Sequence, residues 1–425
     1  MHQTAAVLML CSLVAWTAAS DPAATCQGPT VTALHAALPG SKHVVMTAYR
    51  DHRQAGAVRV LAIVNVDHPA AVDCVFCCSD GGGGRLREGA VQVHTVHYGY
   101  PYVAADILCH EPPGCNATRV ALSACRGLAA AAAAAAPPVL TILNEKRRED
   151  NFPVFLTVCM STVFGADGGN VLQFLQTMEL YRLWGVQKVV LYLTNCSGDF
   201  QQVLDHYTQQ GFLEVVPWRL GEEIRKDIHH NGQLSVMNEC LYRNMYTSRY
   251  VILADVDQLL VPYKHSSLQV MVEELQAQHP QASVFMVETH LFPWTRTTPE
   301  GPQVAVPGRD LLEQVYREPI EENDFRSHKM VVNPRLVVQT AMFEVLKTYG
   351  ERVYVPSSMA LVMQVKPREE SKEDANGKNV VLDERIGEFK DLLEPKVNEI
   401  VKKMTKAYNV SGIETSYASS LSSKF

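Results

Sequence analysis

The sequence lacks a dense block of lysine and arginine residues, and this excludes one broad class of partner. Its 425 residues include 38 Lys and Arg against 45 Asp and Glu, for a net charge of −7. Binding to nucleic-acid phosphates needs a concentrated basic surface, so we expect no nucleic-acid partner. With 47% hydrophobic residues the chain can bury a full core, and its length predicts about two or three domains.

The first twenty residues lack any Asp, Glu, Lys or Arg. Ala5–Ala19 is a mostly apolar run that small residues follow. Residues 1–20 therefore predict entry into the secretory pathway, either as a cleaved signal peptide or as a short signal-anchor. No other run in the sequence is apolar for long enough to cross a bilayer, so we expect membrane attachment through this segment alone. Cleavage would give a secreted protein.

A second CxxC motif is also missing, which weighs against a structural zinc site. Cys74, Cys77 and Cys78 precede His94 and His97 at roughly the spacing of zinc ligands. The secretory compartment instead favours disulfides among the ten cysteines that follow the leader. These are Cys26, Cys74, Cys77, Cys78, Cys109, Cys115, Cys125, Cys159, Cys196 and Cys240.

Three N-glycosylation sequons agree with the secretory route, at Asn116, Asn195 and Asn409. We expect glycans at Asn116 and Asn409. Asn195 closes a predicted strand near the expected ligand-binding edge, so a glycan there would crowd the site.

The composition changes along the chain and predicts four zones after the leader. Short apolar stretches with Gly-rich breaks predict a small, disulfide-braced β-sandwich-like module, and a run of alanines before Pro137 predicts a linker. Alternating strand and helix patterns then predict an α/β domain, and a Ser-rich end predicts a disordered tail. The zones are residues 41–127 (β module), 128–150 (Ala/Pro linker), 151–408 (α/β domain) and 409–425 (tail).

In the α/β zone, helical patterns, two of which end on Gly185 and Gly211, separate four apolar strands. The strands read PVFLTVCM, VQKVVLYL, FLEVVPW and YVILADVD. Such alternation predicts a parallel, Rossmann-like sheet with crossover helices. In open sheets of this kind, ligands bind beyond the carboxyl ends of the strands.

Asp255 and Asp257 stand at the end of the fourth strand. A pair of aspartates after a strand often marks only a turn. Two adjacent charges at the ligand-binding edge, however, lower the stability of the fold unless a partner compensates them. Two carboxylates suit Mg²⁺ or Mn²⁺. An EF-hand is excluded because Leu259 and Leu260 stand where an oxygen ligand and glycine are needed.

Two enzyme classes put paired aspartates after an apolar strand. A haloacid-dehalogenase-type phosphatase needs a further acidic pair after a later strand, and none follows Asp257 in strand context. A nucleotide-sugar transferase of GT-A architecture remains, in which the ion would neutralise the diphosphate as the sugar leaves. A metal-dependent hydrolase stays as an alternative.

The segments FPVFLTVCMSTVFG, LYRLWGVQKVVLYL, YRNMYTSRYVILADVDQLLVP and KMVVNPRLVVQTAMFEVLKTYG resemble glycosyltransferase family 92. The resemblance spans about Tyr49 to Met404. It implies an inverting, β-1,4-galactosyltransferase-like GT-A enzyme in the Golgi lumen, with a type II anchor, that uses a UDP-sugar donor, Mn²⁺ (or Mg²⁺) and a glycan acceptor such as an N-glycan.

By position, the resemblance makes Asp255 and Asp257 the metal and diphosphate motif. Lys329, next to His328 at a predicted strand edge, is a candidate for phosphate contact. Phe343 and Gln364 stand where the family is expected to carry histidines, one of which commonly completes metal coordination in GT-A enzymes. A catalytically impaired, sugar-binding protein of the same fold is therefore the alternative.

An inverting transfer needs a general base to deprotonate the acceptor hydroxyl. Glu288 and Asp324 are the candidates we select, with Glu321 and Glu322 beside the latter. Trp218 and Trp294 are candidates for stacking on sugar rings.

Overall fold

The computed structural model of the chain describes residues 25–79, 84–124, 136–163, 171–293, 295–298, 301–304, 310–319, 326–366 and 380–408. The chain forms two compact units. The first contains Met1–Phe152 and Trp218–Thr247, and the second contains Pro153–Pro217 and Ser248–Phe425. Outside the described residues lie the candidate base Asp324 with its neighbours Glu321 and Glu322, the candidate stacking residue Trp294 and the sequon at Asn409.

The first unit is built on an eight-stranded sheet. Its strands are β1 (Ala36–Ala37), β2 (Val44–Arg50), β3 (Ala57–Asn65), β4 (Val72–Cys78), β5 (Gly84–Val93), β6 (Tyr102–His110), β7 (Ala117–Ser123) and β8 (Val139–Leu143). Their order is β1-β2-β3-β6-β5-β4-β7-β8, and β8 pairs back onto β2 through Ala48↔Ile142 and Tyr49↔Leu143. Hydrogen bonding therefore runs around a closed ring.

The predicted β-sandwich is not confirmed by this ring. A sandwich has two sheets that stack face to face, whereas here each strand from β2 to β8 bonds to the next until the ring closes. Alternating apolar residues identify strands and their buried faces, but they do not specify which strands pair.

Three disulfides brace the first unit and exclude the zinc alternative. All three cysteines of the zinc pattern form disulfide bonds, so none of them is available as a thiolate ligand for a metal. The pairs are Cys26–Cys77, Cys74–Cys109 and Cys78–Cys115. Cys196 is free.

Two segments differ from the predicted zones. Val139–Leu143, within the predicted linker, is strand β8. Residues 218–247, within the predicted α/β zone, cluster with the first unit. Residues 218–247 belong to the first unit because their buried polar groups bond to it. The Tyr49 hydroxyl donates to Glu239 at 2.7 Å, and Arg53 donates to the Tyr242 hydroxyl at 2.7 Å. The helical segments here are Glu222–Lys226, a 3₁₀ turn at His229–Gly232, and Gln233–Arg243.

The second unit contains a nine-stranded mixed sheet. Its strands are β9 (Val154–Val163), β10 (Lys188–Leu193), β11 (Leu213–Pro217), β12 (Ser248–Ala254), β13 (Gln258–Pro262), β14 (Ala282–Pro293), β18 (His328–Val332), β21 (Glu351–Tyr354) and β22 (Ala360–Lys366). Small two-stranded pairs add β15 (Thr295–Thr298) with β16 (Gly301–Val304), β17 (Tyr316–Arg317) with β23 (Val381–Leu382), and β19 (Val337–Thr340) with β20 (Val345–Thr348).

One end of the large sheet is parallel, as the sequence predicts. The order is β11-β10-β9-β12-β18-β14-β22-β13, and the first four strands pair in parallel. Beyond them β18 runs antiparallel to both β12 and β14. The carboxyl ends of β9 and β12 therefore meet the start of β18 at one edge of the sheet, and this edge positions the candidate site.

The helices of the second unit cover this sheet with apolar residues. The predicted helix that ends before Gly185 is observed as Val171–Leu183, and Gly185 follows it with a left-handed φ of 86°. The last helix, Lys390–Tyr408, buries Leu393, Val397 and Val401. The helices are Val171–Leu183, Gly198–Gln209, Leu268–Gln278 and Lys390–Tyr408, with 3₁₀ turns at Leu311–Glu313 and Arg385–Phe389.

Within the described part of the chain, no helix combines the length and the apolar character that a bilayer crossing requires. The N-terminal segment of residues 1–20 lies outside that part.

Candidate functional site

Asp255 and Asp257 flank the turn between β12 and β13. Asp255 directly follows the last residue of β12, and Asp257 directly precedes the first residue of β13. Gln258 stabilises the turn through two hydrogen bonds to Asp255. Its backbone N–H donates to the Asp255 carbonyl at 3.1 Å, and its side-chain oxygen accepts from the Asp255 N–H at 3.2 Å. The aspartates therefore lie on a fixed turn at the carboxyl end of a buried strand.

Two neighbouring strands bring donors to the Asp255 carboxylate. β9 lies beside β12 with Met160 opposite Ala254, so the next residue, Ser161, reaches Asp255. The Ser161 hydroxyl donates to Oδ1 at 2.6 Å. Lys329 of β18 places its Nζ 2.8 Å from Oδ2. Each oxygen of this carboxylate thus accepts a hydrogen bond from a different strand.

Lys329 is deeply buried, with a side chain only 1% exposed. Its ammonium also donates to the Met342 carbonyl at 3.3 Å and lies 5.1 Å from the centroid of the Phe343 ring. A buried ammonium needs a counter-charge, and an aromatic face adds a favourable cation–π contact. The ammonium predicted to contact phosphate is therefore engaged by Asp255.

Asp257 has a partner on β22. The Gln364 side-chain amide donates to Asp257 Oδ2 at 3.0 Å, and Gln364 lies opposite Gln258 in the β13–β22 register. Phe343 and Gln364 are the two positions where the resemblance leads us to expect histidine. Both lie at this site, one against Lys329 and the other on Asp257.

The residues present do not fit a Mn²⁺ or Mg²⁺ site. These ions take several oxygen ligands, but Asp255 accepts from an ammonium and a hydroxyl while Asp257 accepts from an amide N–H. Among the described residues, no group of three or more His, Cys, Asp or Glu side chains is arranged to hold a metal. The predicted metal role of the two aspartates thus disagrees with their hydrogen bonding.

Glu288, the candidate base, is placed on a different face of the sheet. In the β14–β18 register Glu288 lies opposite His328, while Val287 lies opposite Lys329. Cross-strand partners share a face and successive residues alternate, so Glu288 and Lys329 point to opposite faces at the same level of the strands. The structure does not bring Glu288 onto the two aspartates.

Glu288 is held by His290 and Arg326. Arg326 Nε lies 3.3 Å from Glu288 Oε1, and His290 Nε2 lies 3.1 Å from Glu288 Oε2. Arg326 Nη1 lies 3.0 Å from His290 Nδ1 and can only donate, so the imidazole proton belongs on Nε2 and is donated to Glu288. Burial, with Arg326 nearby, lowers the pKa of His290, which agrees with this neutral tautomer. The Glu288 side chain remains 29% exposed.

The other predicted site residues are placed as follows. Trp218 is fully buried in the first unit, and its indole N–H donates to the Asn231 carbonyl at 2.7 Å, so it offers no face for a sugar ring. Its location in the core corrects the stacking hypothesis. Asn116 is exposed, as its predicted glycan requires, and so is Asn195.

Ser161, His290 and Arg326 are site residues that the sequence reasoning missed. Ser161 carries a weak signal, because it is a polar residue near the end of a buried strand in the same predicted sheet as Asp255. His290 follows Glu288 by two residues on one strand and so shares its face. No pattern in the sequence around Arg326 indicates that it belongs to the site.

Comparison with known families and proteins gives the following similarities. Residues 154–409 match the sequence model of Glycosyltransferase family 92, which is more than half of the chain. A β-1,4-galactosyltransferase of Caenorhabditis elegans, galt-1, is 25% identical over 116 residues, covering 27% of this chain and 27% of the relative. Another protein of that species, glycosyltransferase family 92 protein F13G3.3, is 22% identical over 142 residues. That match covers 31% of this chain and 28% of the relative.

Matched solved structures include crystal structures of S. aureus TarS residues 1–349. The complex with UDP has a TM-score of 0.29 at 12% identity, covering 62% of this chain and 75% of that chain. The complex with UDP-GlcNAc has a TM-score of 0.28 at 10% identity, covering 52% of this chain and 61% of that chain. TM-scores this low support no inference about the fold.

Proposed function

The chain belongs to glycosyltransferase family 92, and on that premise we propose that it transfers a hexose from a UDP-sugar to a glycan acceptor on glycoproteins. The observation that carries the proposal is the family match over the unit in which Asp255 and Asp257 close the carboxyl end of β12. Galactose is the proposed sugar, since one relative is named a β-1,4-galactosyltransferase.

The donor is proposed to bind at the edge formed by the ends of β9 and β12 and the start of β18. In open α/β sheets the crevice beyond the strand ends is where nucleotides bind. Asp257 is half-buried on the turn there, and Gln364 holds its carboxylate through one oxygen. We assign Asp257 to accept hydrogen bonds from hydroxyl groups of the UDP-sugar, and Asp255 with Lys329 to holding the turn in place.

The transfer is proposed to proceed in one step with inversion. The acceptor oxygen forms a bond to the anomeric carbon while the bond to UDP breaks and the hydroxyl proton passes to a carboxylate. Glu288 is one candidate proton acceptor: His290 and Arg326 orient its partly exposed carboxylate, and it would serve an acceptor that binds on the face of the sheet opposite Lys329. Asp324 is the other candidate base.

A second candidate function is a nucleotide-sugar-binding protein with little or no turnover. The observation that favours it is the pair of replacements at the site, Phe343 against Lys329 and Gln364 on Asp257. Binding of the donor would then persist without transfer.

We further propose that the protein acts in the lumen of the Golgi, held there by its N-terminal segment, or is secreted after cleavage. The apolar leader, the three disulfides of the first unit and the exposed sequon at Asn116 support this location. Expression in secretory cells followed by glycosidase treatment tests it. We expect a mass shift that Asn116→Gln reduces.

The experiment that tests the function is UDP release by the full chain with a panel of UDP-sugars and glycan acceptors. Asp257→Asn should abolish turnover without unfolding, because asparagine can still accept the Gln364 hydrogen bond. Asp205→Asn, an exposed aspartate on the helix Gly198–Gln209, is the matched control.

The possible outcomes separate the candidates. Acceptor-dependent UDP release supports the transferase, and saturable UDP binding without release supports the binding protein. Hydrolysis that requires a metal but no acceptor would favour the hydrolase. Unchanged turnover in Asp257→Asn would remove the assignment of that residue.

A further inference from the structure

We propose that Lys329 takes the place of a divalent cation at the aspartate pair, so that this chain binds its donor without Mn²⁺ or Mg²⁺. The part about the donor rests on the proposed function. The part about the cation concerns Asp255, Asp257 and the side chains around them, and it can be tested without any nucleotide.

Charge is the first argument. Lys329 is 1% exposed and Asp255 is 18% exposed, and their charged atoms are 2.8 Å apart. A metal ion on Asp255 would either meet the positive charge of the ammonium directly or displace it into surroundings that include the Phe343 ring and the Met342 carbonyl. Like-charge repulsion and removal of the counter-charge from a buried ammonium are both unfavourable, so the ion pair opposes metal binding.

Hydrogen bonding is the second argument. Ser161 donates to the other oxygen of Asp255, so both oxygens of this carboxylate are engaged. Gln364 presents an N–H group to Asp257, whose partial positive charge opposes a cation on the same oxygen. A histidine in that position could instead offer a lone pair to a metal. The ion pair with Lys329 of β18 is thus the main obstacle to metal binding, and the N–H group of Gln364 on β22 adds to it.

The decisive experiment uses Mn²⁺ alone with the full chain. Binding is followed by electron paramagnetic resonance of free Mn²⁺ and by the change in thermal midpoint on adding Mn²⁺. We expect no saturable site and no change in midpoint for the wild type. Lys329→Met removes the ammonium but keeps the apolar stem, and it should gain one Mn²⁺ site and a raised midpoint in Mn²⁺.

Lys347→Met is the matched control, since Lys347 is exposed on β20 and its loss changes the net charge equally. It should gain no Mn²⁺ site. Saturable Mn²⁺ binding by the wild type that Asp255→Asn abolishes would overturn the proposal. A folded Lys329→Met protein that still binds no Mn²⁺ would also overturn it. If that variant does not fold, the wild-type titration alone decides.

Donor binding provides the second measurement. Calorimetric titration of the wild type with UDP-galactose should give a Kd in EDTA within about twofold of the Kd in Mn²⁺. A Kd that tightens about tenfold or more in Mn²⁺ would contradict metal independence. Absence of UDP-galactose binding under both conditions would instead count against the proposed function, while the Mn²⁺ titration would still decide the role of Lys329.

Discussion

Asp255 and Asp257 are two residues apart, yet different partners hold them. Asp255 is the counter-charge of a buried lysine, whereas Asp257 accepts from a neutral amide. The loss of a charge therefore has a different cost at each position. Loss of the Asp255 charge should mainly lower the stability of the fold, and loss of the Asp257 charge should mainly weaken ligand binding.

The stability difference is a direct prediction. Asp255→Asn leaves the Lys329 ammonium without its carboxylate, and we expect the free energy of unfolding to fall by about 3 kcal/mol. Asp257→Asn keeps a hydrogen-bond acceptor for Gln364 and should cost less than about 1 kcal/mol. Urea denaturation of the two variants measures the difference. A loss below about 1 kcal/mol in Asp255→Asn would show that the ion pair does not stabilise the fold.

A second prediction at this scale concerns the general base. Glu288→Gln should lower kcat by about 10² to 10⁴, since amide groups do not accept the acceptor proton, and it should leave the Kd for UDP unchanged. Glu351→Gln, an exposed glutamate on β21, is the control and should have little effect.

The alternative base is tested in the same assay. If Asp324→Asn abolishes turnover while Glu288→Gln does not, the assignment of Glu288 is wrong. His290→Gln should shift the pH profile of kcat if His290 positions Glu288, whereas a purely structural role would change stability alone.

At the scale of elements, the sequence predicts strands and helices well where periodicity and glycines agree. The helices that end near Gly185 and Gly211 are confirmed, and both glycines have left-handed φ values. The same patterns do not predict which strands pair with one another. Nothing in the local pattern of β18 indicates that it inserts antiparallel between β12 and β14, because alternation specifies faces but not neighbours.

Ser197 offers a prediction about one element. It caps the helix Gly198–Gln209, where its side chain accepts from the Phe200 N–H at 3.3 Å, and it also completes the sequon of Asn195. In unglycosylated protein, Ser197→Ala should lower the free energy of unfolding by about 1 kcal/mol. Ser197→Thr should retain most of the stability that the cap contributes, because a threonine side chain can also cap a helix.

Asn195→Gln serves as the control for the cap, since it removes the sequon and leaves Ser197 in place. A stability loss in Asn195→Gln as large as that in Ser197→Ala would show that the cap is not the cause. In protein from secretory cells, a glycan mass lost in Asn195→Gln would show that the sequon is used.

The whole molecule should lose stability as the solution becomes mildly acidic. Burial is the main cause that lowers the pKa of six histidines below the ordinary value of 6.5; they are His35, His43, His206, His229, His290 and His328. Below that value the unfolded chain takes up protons that the folded chain does not. Stability is therefore fully present above about pH 6.5 and is lost as the pH falls below it.

Urea midpoints at about pH 7.5 and about pH 5.5 measure this dependence. We expect the lower midpoint at the lower pH and a smaller difference in His290→Gln, whose glutamine can keep both hydrogen bonds. A midpoint that is equal or higher at the lower pH would contradict the prediction.

The sequence by itself determined the kinds of elements, the position of Asp255 and Asp257 at the end of a buried strand, and the family. These depend on residues near one another in the chain, which periodicity and motifs record. Only the tertiary structure decided what the aspartates bind. Lys329 lies 74 positions from Asp255, Ser161 lies 94 positions from it, and Gln364 lies 107 positions from Asp257. Strand pairing brings these side chains together, and no local pattern encodes that pairing.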